Sequence, residues 1–158
     1  MVDDLSFRLA TLEEKHALEE LQWRASLMWD EYRDALLAHP DAIELSDNHI
    51  TEGGTIIAER IGETLGFAVV LIGPHGNVEL DGLFVEPHAW RCGIGRSLVA
   101  QAQQLPVVQG AEAMYVVANP RASGFYIACG FVQIGEARTR FGVGLRMRKE
   151  IDARERQL

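Results

Sequence analysis

Residues 80–99 read LDGLFVEPHAWRCGIGRSLV. An apolar run closes at Pro87. Two glycines then stand between two arginines, and a helix-periodic segment begins at once. Strand, glycine turn and helix N-terminus together form a recipe for holding an anion. The first N–H groups of a helix lack intrahelical acceptors, and the helix dipole adds partial positive charge at that end. Gly93 and Gly95 remove side chains that would block a close approach. Arg91 and Arg96 can offer a planar, two-pronged contact. The competing reading is a pair of glycines that packs a helix against a strand. A P-loop is excluded, because no G-x-x-x-x-G-K-[ST] occurs. A dinucleotide fingerprint is excluded too, because Leu98 stands where its third glycine belongs.

Upstream, SFRLAT (6–11) alternates as a short strand. Thr11 with Glu14 has the spacing of a capping box and predicts a helix from about Leu12. Leu18, Leu21, Ala25 and Met28 supply its apolar stripe. A break is expected between Ser26 and Trp29, and Pro40 stops the second helix near His39. GTIIAERIGETLGFAVVLIGP (54–74) reads as two strands joined by a turn through Gly62 to Thr64. NVELDGLFVEP (77–87) is the next strand, and residues 93–105 are a helix. AMYVVA (113–118) is a strand. PRASGFYIACG (120–130) is a short helix with proline in its first turn and Gly130 at its C-terminal cap. FVQIGEAR (131–138) and GVGLRMRKEI (142–151) are final strands. The expected fold is α/β: a single domain over residues 1–151 with a polar tail at 152–158. The element order is β-α-α-β-β-β-α-β-α-β-β, around a mixed central sheet that is antiparallel first and then partly parallel.

Composition bounds the function. The 158 residues are 47% hydrophobic, the range of an ordinary globular domain. No apolar run is long enough for a membrane span. The acidic start MVDDLSFRLATLEEK lacks a signal-peptide layout, so the expectation is a soluble cytoplasmic protein with no membrane partner. A net charge of −8 argues against nucleic acid. Residues 1–90 carry −13 and residues 91–158 carry +5. That asymmetry suits two ligands of opposite sign as well as it suits plain solvated surface. Cys92 and Cys129 have neither metal nor disulfide spacing and are expected as free thiols. The histidines are scattered, so no metal is expected.

Two stretches resemble the GCN5-related N-acetyltransferases, the GNAT superfamily. Residues 80–99 are similar to the family's acetyl-CoA-binding strand, loop and helix. VVANPRASGFYIACGF (116–131) is similar to its following strand and helix, through Asn119, Ala122, Phe125, Tyr126, Gly130 and Phe131. One departure stands out. The family loop is written Q/R-x-x-G-x-G/A, but its first position here is Trp90, and the arginine comes one residue later.

The resemblance implies acetyl transfer from acetyl-CoA to a primary amine, directly, in a ternary complex. It implies pantetheine held by backbone groups near Leu83 and Val85, with Gly82 placed for a bulge that opens the gap. The pyrophosphate would lie on Arg91, Cys92, Gly93, Ile94, Gly95 and Arg96, and Asn119 would cap the next helix and reach the pantetheine. Glu79 is the implied general base, with Asp81 its nearest rival; simple alternation puts Glu79, Asp81, Leu83 and Val85 on one face. Tyr126 is the implied general acid for the departing thiolate. Trp23, Trp29 and Tyr32 lie where the family builds its acceptor pocket. With the nearby acids Glu19, Glu20, Asp30, Glu31 and Asp34, they suggest a cationic acceptor. The expected partner is a small-molecule amine or an exposed protein amino group, with a homodimer left open. The alternative is a noncatalytic acyl-CoA-binding or sensing module.

Overall fold

The computed structural model describes residues 4–73, 76–140 and 142–151. The expected tail at 152–158 lies outside them, as does His75. Seven strands form one sheet in the order β1-β2-β3-β4-β5-β7-β6. They are β1 (Leu5–Leu9), β2 (Thr55–Arg60), β3 (Glu63–Ile72), β4 (Val78–Val85), β5 (Ala113–Ala118), β6 (Val132–Thr139) and β7 (Gly142–Glu150). All neighbours are antiparallel except β4 and β5. The helices are α1 (Lys15–Leu27), α2 (Asp30–Ala38), α3 (Asp47–Thr51), α4 (Ile94–Ala102) and α5 (Ser123–Ala128). The architecture is the mixed α/β domain expected, with one addition. The short α3 was not anticipated, although its cap was readable: the Ser46 side chain accepts from the Asn48 N–H at 3.3 Å.

Two local readings shift. The β2–β3 turn is Ile61–Gly62, earlier than expected, because Arg60 already pairs with Glu63. Both turn residues have positive φ, 48° and 77°. That conformation matches the strand twist of a two-residue hairpin, and Ile61 adopts it fully out in solvent. The first helix also opens differently, as a single 3-10 turn at Leu12–Glu14 before α1.

That opening is held by charge. The Glu14 carboxylate accepts from the Thr11 N–H at 2.9 Å and from Arg8 at 2.6 Å. The Arg8 guanidinium holds the Glu14 carboxyl down at about 2, against 4.5 ordinarily. A carboxyl with a depressed folded-state pKa stabilises above its unfolded value and loses that contribution as pH falls through the folded one. Glu14→Gln should therefore cost about 1 kcal/mol at pH 7 in urea unfolding, once solvent screening is allowed for. The difference from wild type should shrink between pH 4.5 and about 2; a gap that persists at pH 2 would assign the effect to something other than the ion pair.

The sheet buries both faces unequally. On one face α4 and α5 cover Val78, Leu80, Met114, Val116 and Met147. On the other, Leu18 and Leu21 of α1 pack on Ile57, Phe67 and Val69. Each such large side chain contributes roughly 1.5–3 kcal/mol when buried. The second cluster stops at β4, and that is what leaves room for a site.

Candidate active site

The parallel pairing of β4 with β5 covers only Val78–Met114 and Glu79–Tyr115. Beyond those residues the two strands diverge. On β3 the register passes from Val70↔Leu80 to Val69↔Gly82, so Asp81 is an extra, bulged residue. The irregularity lies beside Gly82, where the sequence suggested one. Glycine also fits the packing there, since a Cβ would sit 2.7 Å from the Phe84 ring and push it aside.

The bulge overturns one expectation. An inserted residue flips the alternation, so Glu79 does not share a face with Leu83 and Val85. Glu79 lies opposite Leu71, on the side of Phe67 and Phe84, whereas Leu83 and Val85 lie opposite Ala68 and Gly66, on the α4 side. Asp81, the bulged residue, is exposed. The carboxylate of Glu79 and the α4 helix therefore approach the opening from opposite sides of the sheet.

Backbone direction follows from the same register. The Glu86 N–H donates to Leu65 O at 2.8 Å. In an antiparallel ladder every second residue turns its N–H and C=O to the same neighbour. Gly82, Phe84 and Glu86 thus spend theirs on β3, and Leu83 and Val85 aim theirs into the splayed gap. Trp90, the residue that departs from the family loop, reaches that edge: its Nε1–H donates to Val85 O at 2.7 Å. Of the groups expected to hold pantetheine, the Val85 carbonyl is already engaged.

At the mouth of the gap the chain makes a tight turn. Gly93 is the N-cap of α4 at φ +83°, and Arg91 is also left-handed at φ +66°. Arg91, Cys92 and Arg96 are exposed and Ile94 is buried beneath them. The packing reading of the glycines is also realised in part, because a Cβ on Gly95 would lie 3.2 Å from the Phe125 ring of α5.

Tyr126 on α5 is half-buried between Phe125 and Phe131, with ring centroids at 5.0 and 5.6 Å in edge-to-face contacts. Burial pushes its phenol well above the ordinary value, with smaller upward pushes from Cys129 and from Tyr32 of α2. Comparison of ordinary pKa values, about 10 for a phenol and 8.5 for a thiol, makes complete proton transfer to a thiolate uphill, and burial widens the gap. Tyr126 is thus a hydrogen-bond donor that stays protonated, rather than a strong acid. Burial likewise pushes up the thiol of Cys129, which disfavours a thiolate nucleophile.

Only part of the expected box of aromatics and acids comes together, with Tyr32 and Glu31 lining the neighbouring cleft. Glu19 accepts from the Leu45 N–H at 2.8 Å. Glu31 accepts from Asn119 Nδ2 at 2.7 Å and from Arg121 at 3.0 Å. Trp29 stacks on Trp90 at 5.9 Å, and Arg121 of the protein itself lies 5.7 Å over the Trp29 ring. Only Tyr32 of the three aromatics lines the neighbouring cleft, which has a volume of about 350 Å³; Trp23 is half-buried away from it. Asn119 does cap the turn after β5, accepting from the Arg121 N–H at 2.9 Å. A pantetheine contact at its amide would compete with Glu31.

Sequence reading missed the partners of Glu79. Arg146 of β7 donates to Glu79 Oε1 at 3.0 Å, and Arg148 donates from Nε to the Tyr115 hydroxyl at 3.3 Å. The signal was present in GLRMRKE, where period-two alternation around the buried Met147 sets both arginines on one face.

Among solved structures the chain resembles the GCN5-related N-acetyltransferase of Rhodopseudomonas palustris, at 22% identity and a TM-score of 0.75 over 92% of this chain and 94% of that one. It also resembles the PaiA N-acetyltransferase of Thermoplasma acidophilum in complex with coenzyme A, at 19% identity and a TM-score of 0.71 over 92% and 98%. A third likeness is to YncA of Salmonella typhimurium with its cofactor acetyl-CoA, at 18% identity and a TM-score of 0.69 over 95% of each chain. No curated protein sequence matches the chain. The acetyltransferase (GNAT) family model matches residues 16–131, a span that holds the splayed strand, the glycine turn and the Tyr126 helix. The chain belongs to the GNAT acetyltransferase family.

Proposed function

We propose that the protein is an N-acetyltransferase that uses acetyl-CoA and transfers the acetyl group directly to a primary amine. The observation that carries this reading is the split after Glu79. It frees the Leu83 and Val85 backbone edge toward the gap and leaves a carboxylate on the sheet face away from α4. The coenzyme A carried by the Thermoplasma relative and the acetyl-CoA carried by YncA support the choice of donor.

Acetyl-CoA supplies the activated thioester. The protein supplies three things. The Gly93–Gly95 turn and the first N–H groups of α4 hold the pyrophosphate, flanked by Arg91 and Arg96. The N–H groups of Leu83 and Val85 meet the pantetheine edge and the carbonyl oxygen where negative charge develops. Glu79, held by Arg146, takes the proton of the acceptor amine through water, and the Tyr126 hydroxyl hydrogen-bonds the departing sulfur.

A thiol-release assay over amines, polyamines, amino acids and peptides tests the reading. Acetyl-CoA binding without release for any acceptor would instead indicate a sensing module. Labelling gives a second check. Cys92 is exposed in the turn and Cys129 is half-buried. A maleimide should modify Cys92 first, and saturating acetyl-CoA should slow that modification about tenfold or more. Unchanged labelling would move the pyrophosphate away from this turn.

A further inference from the structure

Helix α1 covers the Glu79 face of the sheet only as far as β4. On that face β5 carries Tyr115 and Val117, and β7 carries Arg146 and Arg148, with Gly144 further along the same strand. Both guanidinium carbons lie over the Tyr115 ring, at 5.3 and 5.9 Å from its centroid. Two cations two residues apart on one strand face are roughly 7 Å apart along it, so they repel. Arg146 is neutralised by Glu79 at 3.0 Å. Among the described residues, the acidic partner of Arg148 is Glu150, at 3.7 Å and with a side chain 83% exposed.

We propose that this shelf recognises a free α-amino acid as the acceptor, with Arg148 and Arg146 taking its carboxylate and Glu79 its ammonium. The inference rests on the acetyl-transfer reading above and names the substrate of that same site. The geometry argues for it in three ways. The Glu79–Arg146 pair is itself a carboxylate beside a guanidinium, about two-thirds withdrawn from solvent, and a ligand with both charges on adjacent carbons can match both partners at once. The shelf lies where β4 and β5 separate, so an amine seated on Glu79 faces the gap that Leu83 and Val85 line. Val117 is the cross-strand neighbour of Arg146 and forms part of the 350 Å³ cleft with Tyr32, Thr139 and Gly144, which gives the amino acid's own side chain a place. Gly144 keeps that floor open, since a Cβ there would lie 2.6 Å from Val117. Arginine suits the task because its fork binds a carboxylate through two parallel hydrogen bonds. The second charge of this acceptor is opposite to the one the acidic early helices suggested; of those acids, Glu19 and Glu31 already pair within the protein.

The test pairs each common α-amino acid with its carboxamide, which lacks the negative charge. Thiol release is followed, and calorimetry measures amino-acid binding in the presence of coenzyme A. Acids should be acetylated at least tenfold more efficiently than their carboxamides. The carboxamide amine is the less basic of the two, so ease of deprotonation cannot produce that order. R148Q should raise KM for the acids about 10- to 100-fold, with a smaller change in kcat and with acetyl-CoA affinity within twofold. R148K, which keeps charge without the fork, should recover only part of the loss. Y115F, which frees the Arg148 Nε, gives a milder variant should R148Q fold poorly, with a KM rise of a few fold. Carboxamides or polyamines acetylated as well as the acids would overturn the inference and leave acetyl transfer standing. So would an acid preference untouched by both R148Q and Y115F. If no amine is acetylated, amino-acid binding that R148Q weakens at least tenfold keeps the shelf and sinks the transfer reading; absent binding sinks both.

Discussion

Gly95→Glu is expected to lower acetyl-CoA affinity at least 100-fold in calorimetry while circular dichroism stays that of the folded protein. Gly95 lies in the first turn of α4, one residue past its start at Ile94. The N–H groups of that turn have no intrahelical acceptor and would be the pyrophosphate's main partners. A glutamate there brings its own carboxylate to those donors and repels the phosphates besides. An acid in the first turn favours the helix itself, so helix loss is not the expected cause. Packing is the confounder, because the new Cβ presses on Phe125 at 3.2 Å and touches Val85 Cγ2 at 3.8 Å. Gly95→Ala separates the two causes, since it adds the same Cβ without charge. Alanine should keep affinity within about tenfold. If alanine loses as much as glutamate, the glycine serves packing against α5. If glutamate binds normally, the phosphates lie elsewhere.

The legible and illegible parts of this chain divide along one physical line. Pro87, Gly93, Pro120 and Gly130 act on their own backbone, and the elements they bound fall where the sequence placed them. The parallel pair and the sheet's mixed character followed from element order alone. What escaped depends on a single extra residue or on partners far along the chain. The Asp81 bulge reverses which side Glu79 faces, and nothing local in VELDGLFV says which residue is inserted. Arg146 is 67 positions from Glu79 and Arg121 is 90 from Glu31. Charge totals alone therefore say little about a binding surface: Glu19 and Glu31 of the early helices hold the Leu45 N–H and the Asn119 and Arg121 side chains. Trp90 was read as a missing arginine, and its indole instead ties the loop to the Val85 carbonyl.

Tyr126→Phe should cut kcat about 100- to 10,000-fold, the span usual for loss of a proton donor, with acetyl-CoA affinity nearly unchanged. Phenylalanine keeps the ring and hence both edge-to-face contacts, with Phe125 and Phe131; only the hydroxyl is removed. Among the described residues none is assigned a hydrogen bond to that hydroxyl, which leaves it for a ligand atom. Its pKa, raised by burial, sets the form of the effect. The phenol remains protonated across the working range, so wild-type rates should show no alkaline fall below pH 10 from its ionisation. Because full transfer to sulfur is uphill, the donor helps most where the leaving group most needs it. The Tyr126→Phe deficit should then shrink for acetyl thioesters of more acidic thiols, whose anions leave with less help. A deficit equal for all thioesters would mean that the hydroxyl only positions the donor. Full activity in the variant, measured by thiol release at saturating substrates, would mean that the thiolate departs unaided or takes its proton from water.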